Sequence, residues 1–201
     1  MMEWTAFEDQ ARAEGYTCIC GIDEAGRGPL AGPVYAAAVV LRPGQVIEGV
    51  NDSKKLSEKK REALFDTICS QCTAYGIGSA TEKEIDEINI LNATYLAMQR
   101  AVAALPVQPD CALVDGNCAP DLPLEVRTII KGDAQSASIA AASILAKVSR
   151  DRYMLQMAEK YPQYAFEKHK GYGTKLHYER LEQYGISPIH RLSFLKKWMN
   201  R

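Results

Sequence analysis

One apolar run that ends in two adjacent acids constrains this chain more than any other feature. The pattern from Cys18 to Asp23 indicates a β-strand, and Asp23 and Glu24 stand at its end, just before Gly26-Arg27-Gly28. Two neighbouring carboxylates beside a buried strand carry an electrostatic cost that a bound cation would relieve. Mg²⁺ takes oxygen ligands and is usually held by one or two carboxylates plus substrate phosphates. The segment therefore predicts a metal-dependent site that acts on a phosphodiester.

Two further acids follow the same local pattern. Asp115 ends a short apolar run, and Asp133 follows a β-branched strand predicted from Glu125 to Ile130. Carboxylates at strand ends and helix starts can converge on one edge of an α/β sheet. Together with Asp23 and Glu24, they could hold two divalent ions ~4 Å apart, the arrangement used for in-line phosphoryl displacement. Taken singly, an Asp before Gly is also typical of a turn, and Asp133 is also a candidate helix cap.

Composition bounds the class of protein. The chain has 201 residues, 47% of them hydrophobic, which suits one domain or one domain with a small appendage. No stretch approaches the ~20 apolar residues that span a bilayer, and the N-terminus lacks the pattern of a signal peptide. We therefore expect a cytoplasmic protein. We interpret its six cysteines as reduced thiols, with zinc binding by Cys69 and Cys72 as the alternative.

Charge is distributed unevenly along the chain. The net charge is −1, yet residues 146–201 carry seven more Lys and Arg than Asp and Glu, and residues 1–145 carry eight fewer. An acidic part that holds metals and a basic part that holds a phosphate backbone would fit one nucleic-acid substrate. Ordinary variation in surface charge is the alternative.

The hydrophobic pattern indicates an α/β domain with a mixed sheet, followed by a basic helical segment. We predict strands over 18–23, 33–41, 75–80, 111–114 and 125–130, a helical turn at 84–86, and helices over 4–14, from 57 onward, and over 91–105, 137–160, 176–184 and 193–199.

The stretch from Asp23 to Val34, DEAGRGPLAGPV, resembles the signature of ribonuclease HII, the type 2 ribonuclease H. Further segments resemble the family pattern in order, and together they span residues 18–195: 51–57, 114–116, 131–133, 138–151, 171–174 with His177, and 190–194. The resemblance implies a ribonuclease H-like mixed sheet flanked by helices. It divides the chain into a catalytic domain over 1–160 and a small helical, substrate-binding C-terminal extension over 161–201.

The resemblance also implies the activity. Asp23, Glu24, Asp115 and Asp133 would be the catalytic and metal-binding acids, with Mg²⁺ or Mn²⁺ as cofactor. The enzyme would cleave the RNA strand of RNA–DNA hybrids and nick duplex DNA 5′ to embedded ribonucleotides, leaving 5′-phosphate and 3′-hydroxyl ends. Its biological role would be ribonucleotide removal from DNA.

Two alternatives remain open at this point. One is a hybrid-only enzyme like the type 3 ribonucleases H, although Asp23 comes too early for their additional N-terminal domain. The other is a nucleic-acid-binding module without catalysis, which the four acids argue against because clustered carboxylates repel phosphate unless metals lie among them.

The resemblance implies that the Gly26–Gly28 loop and the Tyr172 ring recognise the substrate. The backbone of Gly26, Arg27 and Gly28 would read the 2′-hydroxyl that distinguishes RNA from DNA, and a plain tight turn is the alternative. Tyr172 would stack beside the sugar that follows the ribonucleotide and favour deoxyribose there. Packing against its own helix is the alternative for Tyr172.

Four residues are candidates for phosphate contacts: Lys54, Ser143, Lys147 and Arg150. The last three follow an i, i+4, i+7 spacing and share one helix face, for which a solvated surface is the alternative. We interpret His177 and His190 as structural and leave the role of His169 open. The expected partner is nucleic acid rather than a membrane, the expected state is a monomer, and the C-terminus lacks the pattern of a sliding-clamp peptide.

Overall fold

Five strands form one mixed sheet, as the sequence predicts, and β1 lies at its centre. The computed structural model describes residues 4–50 and 56–200. Strand β1 pairs antiparallel with β2 and parallel with β4, β2 pairs antiparallel with β3, and β4 pairs parallel with β5, which gives the order β3-β2-β1-β4-β5. The strands are β1 (Ile19–Ala25), β2 (Val34–Val40), β3 (Ala74–Ala80), β4 (Cys111–Asp115) and β5 (Glu125–Ile129).

Helices cover both faces of this sheet and form the C-terminal part of the chain. None of the described helices is long and apolar enough to cross a membrane. They are α1 (Ala6–Ala13), α2 (Glu58–Gln71), α3 (Glu82–Ala103), α4 (Ala137–Lys160), α5 (Phe166–His169), α6 (Lys175–Tyr184) and α7 (Leu192–Met199).

Two helices differ from the prediction. The predicted turn at 84–86 and the helix from 91 are one helix, α3, which is broken at Asn89 (φ 67°). The Asn89 amide oxygen accepts the backbone N–H groups of Leu91 and Asn92, so it caps the second half of α3. The short α5 was not predicted, because four residues are too few for a visible hydrophobic period.

Helix α4 begins at a serine rather than at an acid. The Ser136 side chain accepts the backbone N–H of Ile139 and is the N-cap of α4. Asp133 lies three residues earlier in a single 3₁₀ turn (Gly132–Ala134). Asp133 is therefore not the cap of this helix.

Alternating residues of the inner strands face two separate cores. Cys20 and Ile22 pack in a cluster with α3, whereas Ala37 and Val39 pack in a second cluster with α2 and α4. This alternation follows from the two-residue period of a strand. Because many of these residues are alanines, the helices can approach the sheet closely.

The start of α4 lies directly on β1. A Cβ at Gly21 would come within 2.3 Å of the Ile139 nitrogen and of the Ser138 carbonyl carbon, so only glycine leaves room for the helix. Gly21 lies two residues before Asp23, on the same face of the strand. The close approach therefore brings α4, with Ser143 on it, beside Asp23.

The chain beyond residue 160 is joined by backbone hydrogen bonds to the segment that follows β1. The N–H of Leu30 donates to the carbonyl of Gly171 (2.8 Å), and the N–H of Arg191 donates to the carbonyl of Leu30 (2.8 Å). The N–H of Gly32 donates to the carbonyl of Ile189 (2.9 Å). The predicted domain boundary at residue 160 stays a prediction.

Candidate active site

Three acids converge at the carboxyl ends of the parallel strands. Ile22 of β1 is opposite Val114 of β4, so the next residues, Asp23 and Asp115, lie side by side. Asp133 follows β5, and the N–H of Gly132 donates to Asp115 Oδ1 (2.6 Å). Carboxylate oxygens of Asp23, Asp115 and Asp133 all lie within 4.8 Å of one another. Over residues 4–50 and 56–200, this is the one acid, histidine and cysteine group with a geometry that could hold a metal.

Two of the three acids are buried, Asp115 is half-buried, and their negative charges repel one another. Asp23 is 4% exposed and Asp133 is 5% exposed. Burial, and then the charges of Glu24 and Asp115, raise the pKa of Asp23 well above its usual range, although a hydrogen bond from Ser143 partly opposes this. Hard oxygen donors with unfavourable mutual repulsion are the environment that a divalent cation stabilises. The residues present therefore fit a divalent metal.

Glu24 lies in the same cleft but outside the group of three. Its backbone N–H donates to Asp23 Oδ1 (2.7 Å), and its carboxylate lies 3.5 Å from the guanidinium of Arg27. The cleft has a volume of about 260 Å³. Its lining contains acids, the predicted recognition loop, and cations: Asp23, Glu24, Ala25, Gly26, Arg27, Gly28, Arg61, Asp115, Ser143, Lys147 and Tyr172.

The loop Gly26–Gly28 needs glycine at its first position. Gly26 has a φ of 98°, and a Cβ there would lie 2.1 Å from Arg150 Nε. Behind the loop, the buried Arg191 side chain donates from Nη2 to the carbonyl of Gly26 (2.6 Å) and from Nη1 to that of Arg27 (2.9 Å). Its Nε donates to the carbonyl of Gly32 (2.8 Å). The loop is therefore held from the core side, with its other side toward the cleft.

Arg150 does not take the position that the predicted phosphate contact requires. It is fully buried, and its guanidinium donates to the carbonyls of Ala31, Pro33 and Lys170 at 3.0 to 3.1 Å. The i, i+7 spacing placed it on the correct side of α4, but the long side chain turns beneath Gly26 into the core. Each of its three nitrogens donates to a backbone carbonyl, so it packs beneath the loop instead of facing the cleft.

Of the other three residues predicted to contact phosphate, two line the cleft and one lies outside the described residues. Lys147 lines the cleft and forms an ion pair with Asp151 (2.7 Å), and burial lowers the pKa of its ammonium group. Ser143 also lines the cleft, and its side chain hydrogen-bonds Asp23. Lys54 lies outside the described residues.

Tyr172 lies in the same cleft as Asp23, Glu24 and Asp115, and its predicted contact with a sugar stays a prediction. Its ring lines the same cleft as the acids and is 43% exposed. A Cβ on Gly28 would lie 3.9 Å from the Tyr172 ring, so the ring adjoins the Gly26–Gly28 loop. The predicted ribose reader and the predicted stacking ring are therefore neighbours.

Two arginines of the site were not singled out from the sequence. Arg61, in the first turn of α2, lines the cleft, and its Nη1 donates to the carbonyl of Leu56 (2.5 Å). Arg191 lies beneath the loop. For Arg61 the available signal was its place in the first turn of a predicted helix, four residues after the N-cap Ser57. For Arg191 the available signal was its place in segment 190–194, which resembles the family pattern, but its burial beneath the loop has no signal because a buried arginine and a surface arginine look alike in one sequence.

Solved structures share this fold and most of its length. Ribonuclease H2 of Pyrococcus horikoshii OT3 is 30% identical, matches 88% of this chain and 93% of its own, and has a TM-score of 0.73. A chain of the PCNA:RNase HII complex of Archaeoglobus fulgidus is 28% identical, matches 88% and 94% of the two chains, and has a TM-score of 0.68. The mixed sheet and the acidic cleft together define an enzyme of the ribonuclease H class.

Sequence comparison places the chain within that class. The family model described as Ribonuclease HII matches residues 20–197. Proteins named Ribonuclease HII from Caldicellulosiruptor bescii and Clostridioides difficile are 60% and 58% identical, each over 94% of this chain and over 92% and 74% of their own length. The chain belongs to the ribonuclease HII family, and the resemblance seen in its motifs is confirmed. It is a ribonuclease H, an endonuclease for the RNA strand of RNA–DNA hybrids.

Proposed function

We propose that this enzyme also nicks duplex DNA on the 5′ side of a single embedded ribonucleotide, leaving 5′-phosphate and 3′-hydroxyl ends, and so begins the removal of ribonucleotides from DNA. One observation carries the proposal: three of the acids (Asp23, Glu24 and Asp115), the Gly26–Gly28 loop and Tyr172 line a single cleft. A cleft that contacts one ribose and the next sugar can select an isolated RNA–DNA junction. A hybrid-only enzyme would need no such discrimination at the second sugar.

We propose Mg²⁺ or Mn²⁺ as the cofactor, held by Asp23, Asp115 and Asp133 together with Glu24. Four carboxylates carry enough negative charge for two divalent ions. When bound, such ions activate water and stabilise the leaving oxygen in phosphodiester hydrolysis. The acid oxygens prefer hard cations, and the three closest carboxylates are already gathered by backbone geometry.

The protein's own groups would orient the substrate around these acids. The Gly26–Gly28 backbone can approach a ribose closely, because Gly26 and Gly28 carry no side chain that would displace it. Lys147 and Arg61 supply positive charge on the cleft wall for phosphate oxygens. The Tyr172 ring presents a face on which a sugar can pack. Together these contacts would select the scissile bond before any bond is broken.

The first test uses a DNA duplex with one ribonucleotide. With Mg²⁺ or Mn²⁺ we expect one nick 5′ to the ribonucleotide, and Asp115→Asn should lower the rate at least about 100-fold because it removes charge from the metal site. The Asn oxygen can still accept the Gly132 N–H, so the fold should be kept. Asp121→Asn, which changes an exposed acid outside the cleft, is the matched control. Unchanged activity in Asp115→Asn would contradict the metal assignment.

The second test separates junction recognition from general cleavage. Tyr172→Ala should lower cleavage at a single ribonucleotide more than cleavage of a long hybrid, because only the junction places deoxyribose against the ring. Tyr75→Ala, which removes an exposed tyrosine from the edge strand β3, is the control. Equal losses on both substrates would favour a structural Tyr172 and a hybrid-only enzyme.

We further propose residues 161–201 as the substrate-binding extension, because Tyr172 comes from this segment. A cytoplasmic location and a monomeric state stay predictions.

A further inference from the structure

All three histidines of the chain lie together beneath the loop that carries Tyr172. His177 is 0% exposed, and His169 and His190 are also buried. The rings of His169 and His177 stack with centroids 4.3 Å apart, and Phe166 contacts all three rings at centroid distances of 5.7 to 5.8 Å. The proposed nuclease chemistry uses none of them. A buried cluster of this kind needs all its hydrogen bonds satisfied.

The hydrogen bond from His177 to the Tyr172 loop fixes one tautomer. His177 Nδ1 lies 2.9 Å from the carbonyl oxygen of Tyr172. A carbonyl oxygen can only accept, so Nδ1 carries the hydrogen, and Nε2 of the neutral ring has a lone pair. His190 Nε2 lies 2.9 Å from His177 Nε2, and because His177 Nε2 can only accept, His190 Nε2 must be the donor.

The same reasoning extends to Ser187. With its hydrogen on Nε2, the neutral His190 ring has a lone pair on Nδ1. This atom accepts from the backbone N–H of Ser187 (2.9 Å) and from its hydroxyl (2.7 Å). The chain of donors therefore runs one way, from Ser187 through His190 and His177 to the carbonyl of Tyr172.

This direction holds only while both rings are neutral. Burial lowers the pKa of His177 to about 4 and that of His190 to about 3; the His169 ring lowers both pKa values further, and the His177 ring also lowers that of His190. The third ring is satisfied separately: His169 Nε2 pairs with the carbonyl of Tyr164 (3.0 Å), and its Nδ1 accepts the N–H of Gly171 (3.2 Å). Near neutral pH the cluster is uncharged.

We call this hydrogen-bonded chain from Ser187 through His190 and His177 the relay. It ends at the carbonyl of Tyr172, on backbone that sets where the Tyr172 ring lies. The N–H of Tyr172 donates to the carbonyl of His169 (2.9 Å), and its carbonyl accepts from Thr174 N–H (2.8 Å) as well as from His177. The peptide groups on both sides of this residue are thus fixed, while the ring itself stays exposed in the cleft.

We propose that Ser187, His190 and His177 are positioning residues that hold Tyr172 against the Gly26–Gly28 loop and so set the preference for a single ribonucleotide over a continuous hybrid. The inference rests on the proposed function, because it assigns the ring its role at the junction. It adds residues that touch no substrate and act only through the Tyr172 carbonyl.

A test of the relay that needs no nuclease activity is ¹⁵N NMR of the histidine rings at pH 7. We expect His177 in the Nδ1–H form, and His169 and His190 in the Nε2–H form. Only one of the three rings then has the tautomer that is less common in free imidazole side chains. An Nε2–H form of His177, or a charged His177 or His190 ring, would overturn the relay.

Two substitutions of His177 distinguish the effect of losing its Nδ1–H donor from the effect of losing the ring. The side-chain amide of Asn lies where Nδ1 lies in His, so His177→Asn can still donate to Tyr172, whereas the amide of Gln lies nearer to Nε2. His177→Gln should lower the ratio of single-ribonucleotide to hybrid cleavage on the order of fivefold, as expected when one hydrogen bond is lost. His177→Asn should retain more of this ratio. Ile68→Val, a buried substitution outside the relay, controls for general loss of stability.

The outcomes distinguish the relay from the function on which it rests. If Tyr172→Ala changes the ratio but His177→Gln does not, the proposed function stands and the relay is wrong. If Tyr172→Ala leaves the ratio unchanged, the proposed junction recognition is wrong, and the relay loses its role with it. If both act, the double variant should lose no more of the ratio than Tyr172→Ala alone.

Discussion

At the scale of single residues, two buried arginines hold the segment from Gly26 to Pro33 that follows the acid pair. Arg191 and Arg150 are both 0% exposed, and each donates to three backbone carbonyls. Burial lowers the pKa of Arg191 to about 9, so it keeps its charge at neutral pH. A buried charge is costly unless it is hydrogen-bonded, and the planar five-donor guanidinium suits several carbonyls at once.

We predict that Arg191→Lys destabilises the protein by about 3 kcal/mol, because an ammonium group cannot reach all three carbonyls that the guanidinium binds. Chemical denaturation measures the change, and cleavage at a single ribonucleotide should fall with it as the Gly26–Gly28 loop loosens. Arg152→Lys, in an exposed pair with Glu62, should change stability by less than about 0.5 kcal/mol. Equal effects of the two substitutions would contradict the structural role of Arg191.

At the scale of elements, glycines decide how closely helices approach the sheet. Gly76 and Gly78 of β3 face α3, and Gly21 of β1 faces the start of α4. In each case the nearest atoms to an added Cβ are helix backbone, which cannot move independently. Through Gly21, this packing places α4 beside Asp23 and so forms one wall of the cleft.

Gly78→Ala should cost about 3 kcal/mol of stability, because its Cβ would lie 2.3 Å from the carbonyl oxygen of Ala97 and 2.4 Å from the Ala101 nitrogen. The comparison is Gly44→Ala, at φ 68° with open space around it, which should cost only about 1 to 2 kcal/mol through backbone strain. Thermal or urea unfolding measures both. A smaller loss at Gly78 than at Gly44 would mean that α3 can move away from β3.

At the scale of the whole molecule, buried titratable groups link folding to pH. The histidines are neutral in the core. Burial lowers the pKa of His177 and His190 in the folded protein, whereas in the unfolded chain both pKa values are near 6.5. Between those values the unfolded chain binds more protons than the folded chain. Their contribution to stability is therefore complete above about pH 6.5 and is lost as the pH falls toward 4. Asp23 acts in the opposite sense, because its pKa is raised in the folded protein.

We predict that the free energy of unfolding, measured in a chelator, decreases between pH 6.5 and 5 by up to about 2 kcal/mol for each of the two histidines. His177→Asn should flatten this dependence, since an amide does not titrate, and Asp23→Asn should make it steeper. Parallel pH profiles for the wild type and His177→Asn would show that His177 is not neutral and buried in solution.

Much of the fold and the acidic cluster could be predicted because the information is local. Asp23 and Asp115 lie in the last residues of recognisable strands, Asp133 follows another, and parallel strands bring their carboxyl ends to one edge. The extent of α4, from Ala137 to Lys160, follows from its periodicity and the proline after it. The break at Asn89 was missed because its positive φ depends on a side-chain cap that a hydrophobic pattern does not reveal.

The sequence by itself determined that strands end in acids, that a glycine loop follows the first pair, and that a basic helical segment completes the chain. Only the tertiary structure decided which cations face the cleft and which support it from the core. Arg150 and Lys147 are three residues apart on one helix, yet one lies beneath Gly26 and the other lines the cleft. Arg191 contacts Gly26 across 165 positions of the chain. Burial is a property of packed elements, so residues distant in sequence decide it.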